Sequence, residues 1–112
     1  MTSFEQGDIV VVGFPQVERN VRKRRPALVV SADPGGPSDL LIWVMMITGA
    51  SRPRWPGDVP FDNDPATNLP IMSMVRTAKM AAVEAEDARQ TGRLPASAMR
   101  LVRERLRLTL AI

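Results

Sequence analysis

Apolar residues in this chain come in short runs, each closed by glycine, proline or charge. IVVVGF starts at Ile9 behind Gly7-Asp8 and ends at Gly13 and Pro15, PALVVS spans 26–31, and LLIWVMMIT spans 40–48. Short runs rich in valine and isoleucine and bounded by turn residues are strands. The longest uninterrupted apolar run, Leu40 to Ile47, falls far short of the ~20 residues of a membrane-spanning helix. The pattern therefore predicts a mainly β chain.

The runs differ in kind. IVVVGF reads as a buried strand, and PALVVS as a second strand with Pro26 in its first position, where a missing N–H is tolerated. Residues 16–25 are polar and charged without apolar period, so the spacing predicts a loop there. ADPGGPSD is dense turn chemistry and predicts a hairpin connection. LLIWVMMIT predicts a central strand covered on both faces, with Trp43 in the core. Five of the ten prolines lie in GASRPRWPGDVPFDNDPATNLP, which predicts a long loop broken by a short edge strand at DVPF. IMSMVRTAKMAAV supplies one bent strand or two short ones around Arg76 to Lys79.

The C-terminal segment changes period. LPASAMRLVRERLRLTLAI carries Pro95 at a helix start, and Met99, Val102, Leu106 and Leu110 recur on one helical face. Leu101 and Leu108, seven apart, lie on roughly the opposite face, which predicts a second covering surface such as another subunit. With 112 residues and 45% hydrophobic content, the chain has material for one core. The fold class expected from these elements is mainly β with a C-terminal helix, a small twisted sheet or partly open barrel of SH3-like size, in one domain over 1–112.

The net charge of +3 is compatible with an anionic partner. Its distribution is uneven: residues 1–31 hold five Lys/Arg against three Asp/Glu, 32–91 five against eight, and 92–112 five against one. Both ends are basic and the middle is acidic. Without cysteine there is no disulfide framework, and MTSFEQGDIVVVGF lacks the basic start and long apolar stretch of a signal peptide. A soluble cytoplasmic protein with no membrane association is the expectation.

Histidine, cysteine and tyrosine are all absent. Imidazole general-base catalysis and thiolate nucleophiles are thereby excluded, and a zinc site would have to be built from carboxylates alone. Asp62-Asn63-Asp64 offers two carboxylates, but in a proline-rich loop such a pair is most often turn chemistry. DPGGPSD lacks the Lys-Ser/Thr and helix of a phosphate loop. Any catalysis must come from Arg, Lys, Ser, Thr, Asp and Glu, and no cofactor is expected.

GDIVVVGF, a basic polar loop, RRPALVVS, MMITGA, VRTAKM and GRLPASAMRLVRERLRLTL resemble, in that order and over nearly the whole chain, the MazF/PemK family of toxin endoribonucleases. The resemblance implies a homodimeric SH3-like barrel that cleaves single-stranded RNA and is held inactive by a cognate antitoxin protein. It also implies a catalytic pair: the arginine before the proline, Arg25, and the threonine closing the third strand, Thr48. Family members often carry an acidic residue where this chain has Gly13 or Pro15, and Glu18 is the carboxylate that the loop offers as base.

The chemistry is consistent with that resemblance. RNA can be cut by its own 2′-hydroxyl attacking the adjacent phosphorus, so a protein needs mainly to orient the backbone and stabilise charge on the phosphate oxygens. A guanidinium donates two parallel bonds to phosphate and is too rarely unprotonated to serve as the base. Arg25 is thus the phosphate clamp and a candidate proton donor to the leaving oxygen, and Thr48 adds a hydroxyl bond. The products would be a 2′,3′-cyclic phosphate and a 5′-hydroxyl, with no metal required.

Around this pair, Arg22, Lys23 and Arg24 are candidates for general RNA attraction, although a basic run before a strand is by itself most often a solvated loop. Ser51 and Arg52 are candidate groove residues or a simple polar loop. Trp55 would stack on a base or pack back on the barrel. Arg76 and Lys79 would face RNA if their strand borders the groove. Arg100, Arg103 and Arg107 form a basic stripe on the helix, either a solvated face or a dock for an acidic antitoxin segment. The rival reading is a non-catalytic or degenerate barrel, binding protein in the manner of related gyrase-poison toxins or binding RNA without cutting it.

Overall fold

The structure, a computed structural model, describes residues 4–16, 19–31 and 41–112, with side chains described outside 14–23. Six antiparallel strands form one open sheet: β1 (Asp8–Gln16), β2 (Arg19–Val29), β3 (Leu41–Gly49), β4 (Asp58–Phe61), β5 (Ser73–Glu84) and β6 (Arg89–Arg93), in the order β4-β5-β3-β2-β1-β6. One helix, α1 (Ala96–Leu110), follows. This is the expected class, a mainly β sheet with a C-terminal helix.

β3 lies inside the sheet and presents apolar residues to both faces because side chains alternate along a strand. Met45 and Ile47 join a cluster with Ile9, Leu28, Val59 and Val75, which α1 covers with Ala98, Met99 and Val102. Ile42, Val44 and Met46 join a second cluster with Val10, Val12, Ala27 and Val29. The short edge strand DVPF is β4, placed where Pro60 costs no interior ladder bond. The stretch around Arg76 to Lys79 is a bend inside one strand: Met45 pairs with Met80 and Met46 with Arg76, so three residues of β5 bulge between them.

Three expectations need correcting, and one strand carries no sequence signal. The basic stretch from Arg19 onward is strand: β2 pairs with β1 from Gln16↔Arg19 to Ile9↔Leu28, so backbone pairing carries a segment whose side chains show no apolar period. Trp43 is 52% exposed at the rim of β3, beside half-exposed Leu41. Leu110 is also exposed, because the buried stripe of α1 ends in the partly buried Leu106. The polar RQTGR forms β6 against β1, with Gly92 so close to the Thr67 carbonyl that a Cβ would collide with that backbone. The expected hairpin turn at 32–39 lies outside the described residues. Asp62 and Asp64 do turn work: Asp64 Oδ1 accepts the Ala66 N–H (2.8 Å) at the start of a short 3-10 turn. No helix among the described residues is long and apolar enough to cross a membrane.

Candidate nucleic-acid groove

The β2–β3 ladder pairs Val29↔Val44, Leu28↔Met45 and Ala27↔Met46. Continuing that register by two residues sets Arg25 across from Thr48, on the face that carries Ala27 and Met46. Both side chains line one groove of about 340 Å³. Ser51 and Arg52 enter the same groove from the loop after β3, and Pro26 and Ile47 also line it. The sheet register thus brings together four of the residues singled out in the sequence.

The opposite wall was not anticipated. Leu69, Pro70 and Ile71 line it together with Ser73, the first residue of β5. Ser73 arrives there because it pairs with Gly49, next to Thr48, and its hydroxyl donates to the Ile71 carbonyl (3.0 Å). Ile71 is 56% exposed and packs against Gly49, where an added Cβ would stand 3.0 Å from its Cδ1. No local sequence signal marks this wall, since only non-local strand pairing brings residues 69–73 to residues 48–49.

Electrostatically the groove is one-sided. Arg25 and Arg52 are cationic, and no carboxylate lines it among the described residues. The Arg25 Nε is buried and finds no hydrogen-bond partner among the described residues. Leaving a buried donor unpaired costs about 1–3 kcal/mol, so the fold holds this guanidinium at a cost that a bound anion would relieve. Thr48 is buried to 9% exposure, which fixes its hydroxyl on a rigid strand rather than a loop.

Other candidates stand apart. Arg76 is only 7% exposed and turned inward: its Nε and Nη2 donate to Asp58 Oδ1 (3.3 Å) and Oδ2 (3.0 Å), and Nη2 also donates to the Pro53 carbonyl (2.7 Å). Trp55 lies with its ring 4.0 Å from that guanidinium, so Arg76 covers one of its faces, and neither residue lines the groove. Lys79 is half-buried in the β5 bulge. Arg24 donates to the Val11 (3.1 Å) and Asp87 (3.2 Å) carbonyls, bracing β1 against the turn before β6. Arg22 and Lys23 belong to β2, opposite Pro15 and Phe14, with their side chains outside the description, and Glu18 lies wholly outside the described residues.

Two further hollows flank α1. One, about 290 Å³, is lined by Phe61, Asp62, Asp64 and Ala98, and its acidic wall does not suit a phosphate backbone. The other runs along Val59, Pro60, Leu101, Arg105 and Leu108. Leu101 is 49% and Leu108 71% exposed, so the second apolar stripe of the helix has no cover among the described residues. Among the described residues, no three acidic side chains gather as a metal site would require.

A small open β-sheet closed by one C-terminal helix, with a cationic groove where β2 and β3 meet, defines the class of protein. Residues 5–110 match the family model for the PemK-like, MazF-like toxin of type II toxin-antitoxin systems, and the chain belongs to that family. A crystal structure of MazF from Deinococcus radiodurans superposes with TM-score 0.78 at 23% identity, covering 100% of each chain. The Mycobacterium tuberculosis toxin MazF-mt6 gives TM-score 0.69 at 22% identity over 93% of this chain and 97% of its own. An endoribonuclease from a mycobacterial species, solved with its cognate antitoxin, gives 0.73 at 14% identity over 98% and 97%. These likenesses establish the fold. A comparison of the sequence with curated proteins finds no significant match.

Proposed function

We propose that this toxin-family protein is an endoribonuclease that cuts single-stranded RNA in the groove between β2 and β3. The observation that carries the reading is the Arg25 Nε, buried and without a hydrogen-bond partner among the described residues, beside Thr48 in a groove whose described lining holds no carboxylate. Arg25 clamps the scissile phosphate, and the Thr48 hydroxyl donates to a second phosphate oxygen. The substrate 2′-oxygen attacks phosphorus and the bond to the 5′-oxygen breaks. The proton leaving the 2′-hydroxyl passes to a base, for which Glu18 is the candidate, and Arg25 or water protonates the departing 5′-oxygen. Since the substrate supplies the nucleophile, cleavage should persist in EDTA and leave 2′,3′-cyclic phosphate and 5′-hydroxyl ends. Mapping cut ends on a long unstructured RNA, with Arg25→Ala beside the wild type, tests this. Uncut RNA with a folded wild-type protein would overturn it.

The absence of a carboxylate from the described groove lining favours a second reading, RNA binding without cleavage. The same experiment separates the two, because retention of RNA without new ends supports only the second. For partners, the reading includes a cognate antitoxin whose acidic segment would occupy the cationic groove, or lie along Arg100, Arg103 and Arg107, in place of RNA, and action in the cytoplasm. It also includes a homodimer, for which exposed Leu101 and Leu108 are the surface a second copy would cover. Sedimentation of Leu108→Glu should then show a shift toward monomer.

A further inference from the structure

β3 ends at Gly49 and β4 begins at Asp58, and the eight residues between them carry Ser51 and Arg52 to the groove. Little within that loop holds it. The Ala50 N–H donates to the Met72 carbonyl (2.9 Å) and the Arg52 N–H to the Gly49 carbonyl (3.1 Å), while Pro53 and Pro56 have no N–H to give. The middle of the loop is instead fastened by the Arg76–Asp58 pair, and the Asp58 N–H donates to the Trp55 carbonyl (3.1 Å). Arg76, opposite Asp58 in the β4–β5 ladder, grips the Pro53 carbonyl and covers the Trp55 ring. The Asp58 carboxylate it pairs with also accepts the Trp55 N–H (2.8 Å). The far end is tied by the Thr77 hydroxyl, which donates to the Gly57 carbonyl (2.7 Å). Gly57 has φ +90°, and a Cβ there would stand 2.8 Å from the Thr77 Oγ1, so only glycine brings the loop this close.

We propose that Arg76 is a positioning residue of the groove: by holding Pro53 and Trp55 it fixes the loop that aims Ser51 and Arg52 at the phosphate backbone. The inference rests on the groove being the RNA site. Arg76 does not itself touch RNA, because its guanidinium is occupied by Asp58, Pro53 and Trp55 and is 7% exposed. Its influence passes through the chain, since Arg52 immediately precedes the residue whose carbonyl it holds. Arg25 and Thr48 sit on the β2–β3 ladder and do not depend on this fastening.

The test compares wild type with Arg52→Ala, Arg76→Lys, Trp55→Leu and the Arg52→Ala/Arg76→Lys double variant on one RNA oligonucleotide across a salt series. Arg76→Lys keeps a cation beside Asp58 and so protects the fold, but loses the fork and the flat stacking face. Trp55→Leu leaves the ion pair intact at a part-exposed position. Losing one phosphate contact reduces the magnitude of the salt slope for a single strand by about 0.7. Arg52→Ala should show that loss, and so should Arg76→Lys and Trp55→Leu, although neither of these side chains lines the groove. The double variant should lose no more than Arg52→Ala alone. If the RNA is cut, KM should rise about tenfold, the low end for one lost charge-assisted contact, with kcat changed less than about twofold. A wild-type slope in Arg76→Lys, or a double variant that loses two contacts, overturns the proposal. Should the wild type neither bind nor cut RNA, the reading of the groove fails separately. The fastening is then judged by amide exchange at Arg52: about tenfold faster in Arg76→Lys supports it, and an unchanged rate overturns it.

Discussion

Arg25 and Arg76 stand on the two strands that flank β3, and the fold treats them in opposite ways. Arg76 has a carboxylate directly across the ladder, Asp58, whose side chain is fully buried, and the pair neutralises itself inside the protein. Arg25 faces a groove with no carboxylate among its described lining residues and keeps a buried Nε that finds no partner among the described residues. Two arginines of the same intrinsic chemistry are thus placed differently, one paired inside the protein and one lining an open groove. The difference is set by cross-strand neighbours, which neither residue's local sequence reveals.

That contrast is most directly broken at the buried pair. Arg76→Ala leaves the Asp58 carboxylate buried without its cation, held only by the Trp55 N–H, and should cost about 3–5 kcal/mol of stability in urea denaturation. A loss within the ordinary range of a surface substitution would mean that Asp58 reaches solvent and that the two arginines are less different than described. Arg25→Ala should do the reverse. Removing a guanidinium whose Nε is unsatisfied should leave stability unchanged or slightly raised, while cleavage falls by about 10²–10³-fold, the scale of one lost oxyanion donor.

Thr48→Val sharpens the same side of the comparison, since it keeps the branched shape on β3 and removes only the hydroxyl. It should lower cleavage by about tenfold, equivalent to one neutral hydrogen bond, with an unchanged melting temperature. The smallest effect belongs to Arg24→Ala. Arg24 adjoins Arg25 in sequence but is spent on the Val11 and Asp87 carbonyls, so RNA affinity at physiological salt should move less than about twofold. A large effect there would place the cation that matters one residue earlier than the groove geometry does.

Much of the fold was legible because apolar period and turn residues agree with it. IVVVGF falls in β1, PALV in β2 and LIWVMMIT in β3, DVPF is an edge strand, and Pro95 precedes the helix. What escaped is what pairing alone creates. Residues 19–25 and RQTGR show no apolar alternation, yet join the sheet through backbone bonds to β1. Trp43 lies in the most apolar run and still meets solvent, because β3 extends past the reach of α1.

For the site, Arg25 and Thr48 were selected by resemblance, and their shared groove follows from the β2–β3 register. Ser51 and Arg52 followed from closeness in sequence. Ser73 and the Leu69–Ile71 wall were missed because they reach Gly49 only through the β3–β5 ladder. Arg76, read as a cation toward RNA, turned inward because Asp58, eighteen residues earlier, lies opposite it.

The role proposed for Arg25, whose Nε finds no partner among the described residues, is to bind an RNA phosphate. Its most direct measurement is end-mapping of a long unstructured RNA incubated in EDTA with the wild-type protein and with Arg25→Ala, both shown by circular dichroism to be folded. The account predicts 2′,3′-cyclic phosphate ends with the wild type and their loss in the variant. Equal cutting by both proteins, or no cutting by a folded wild type, would contradict it.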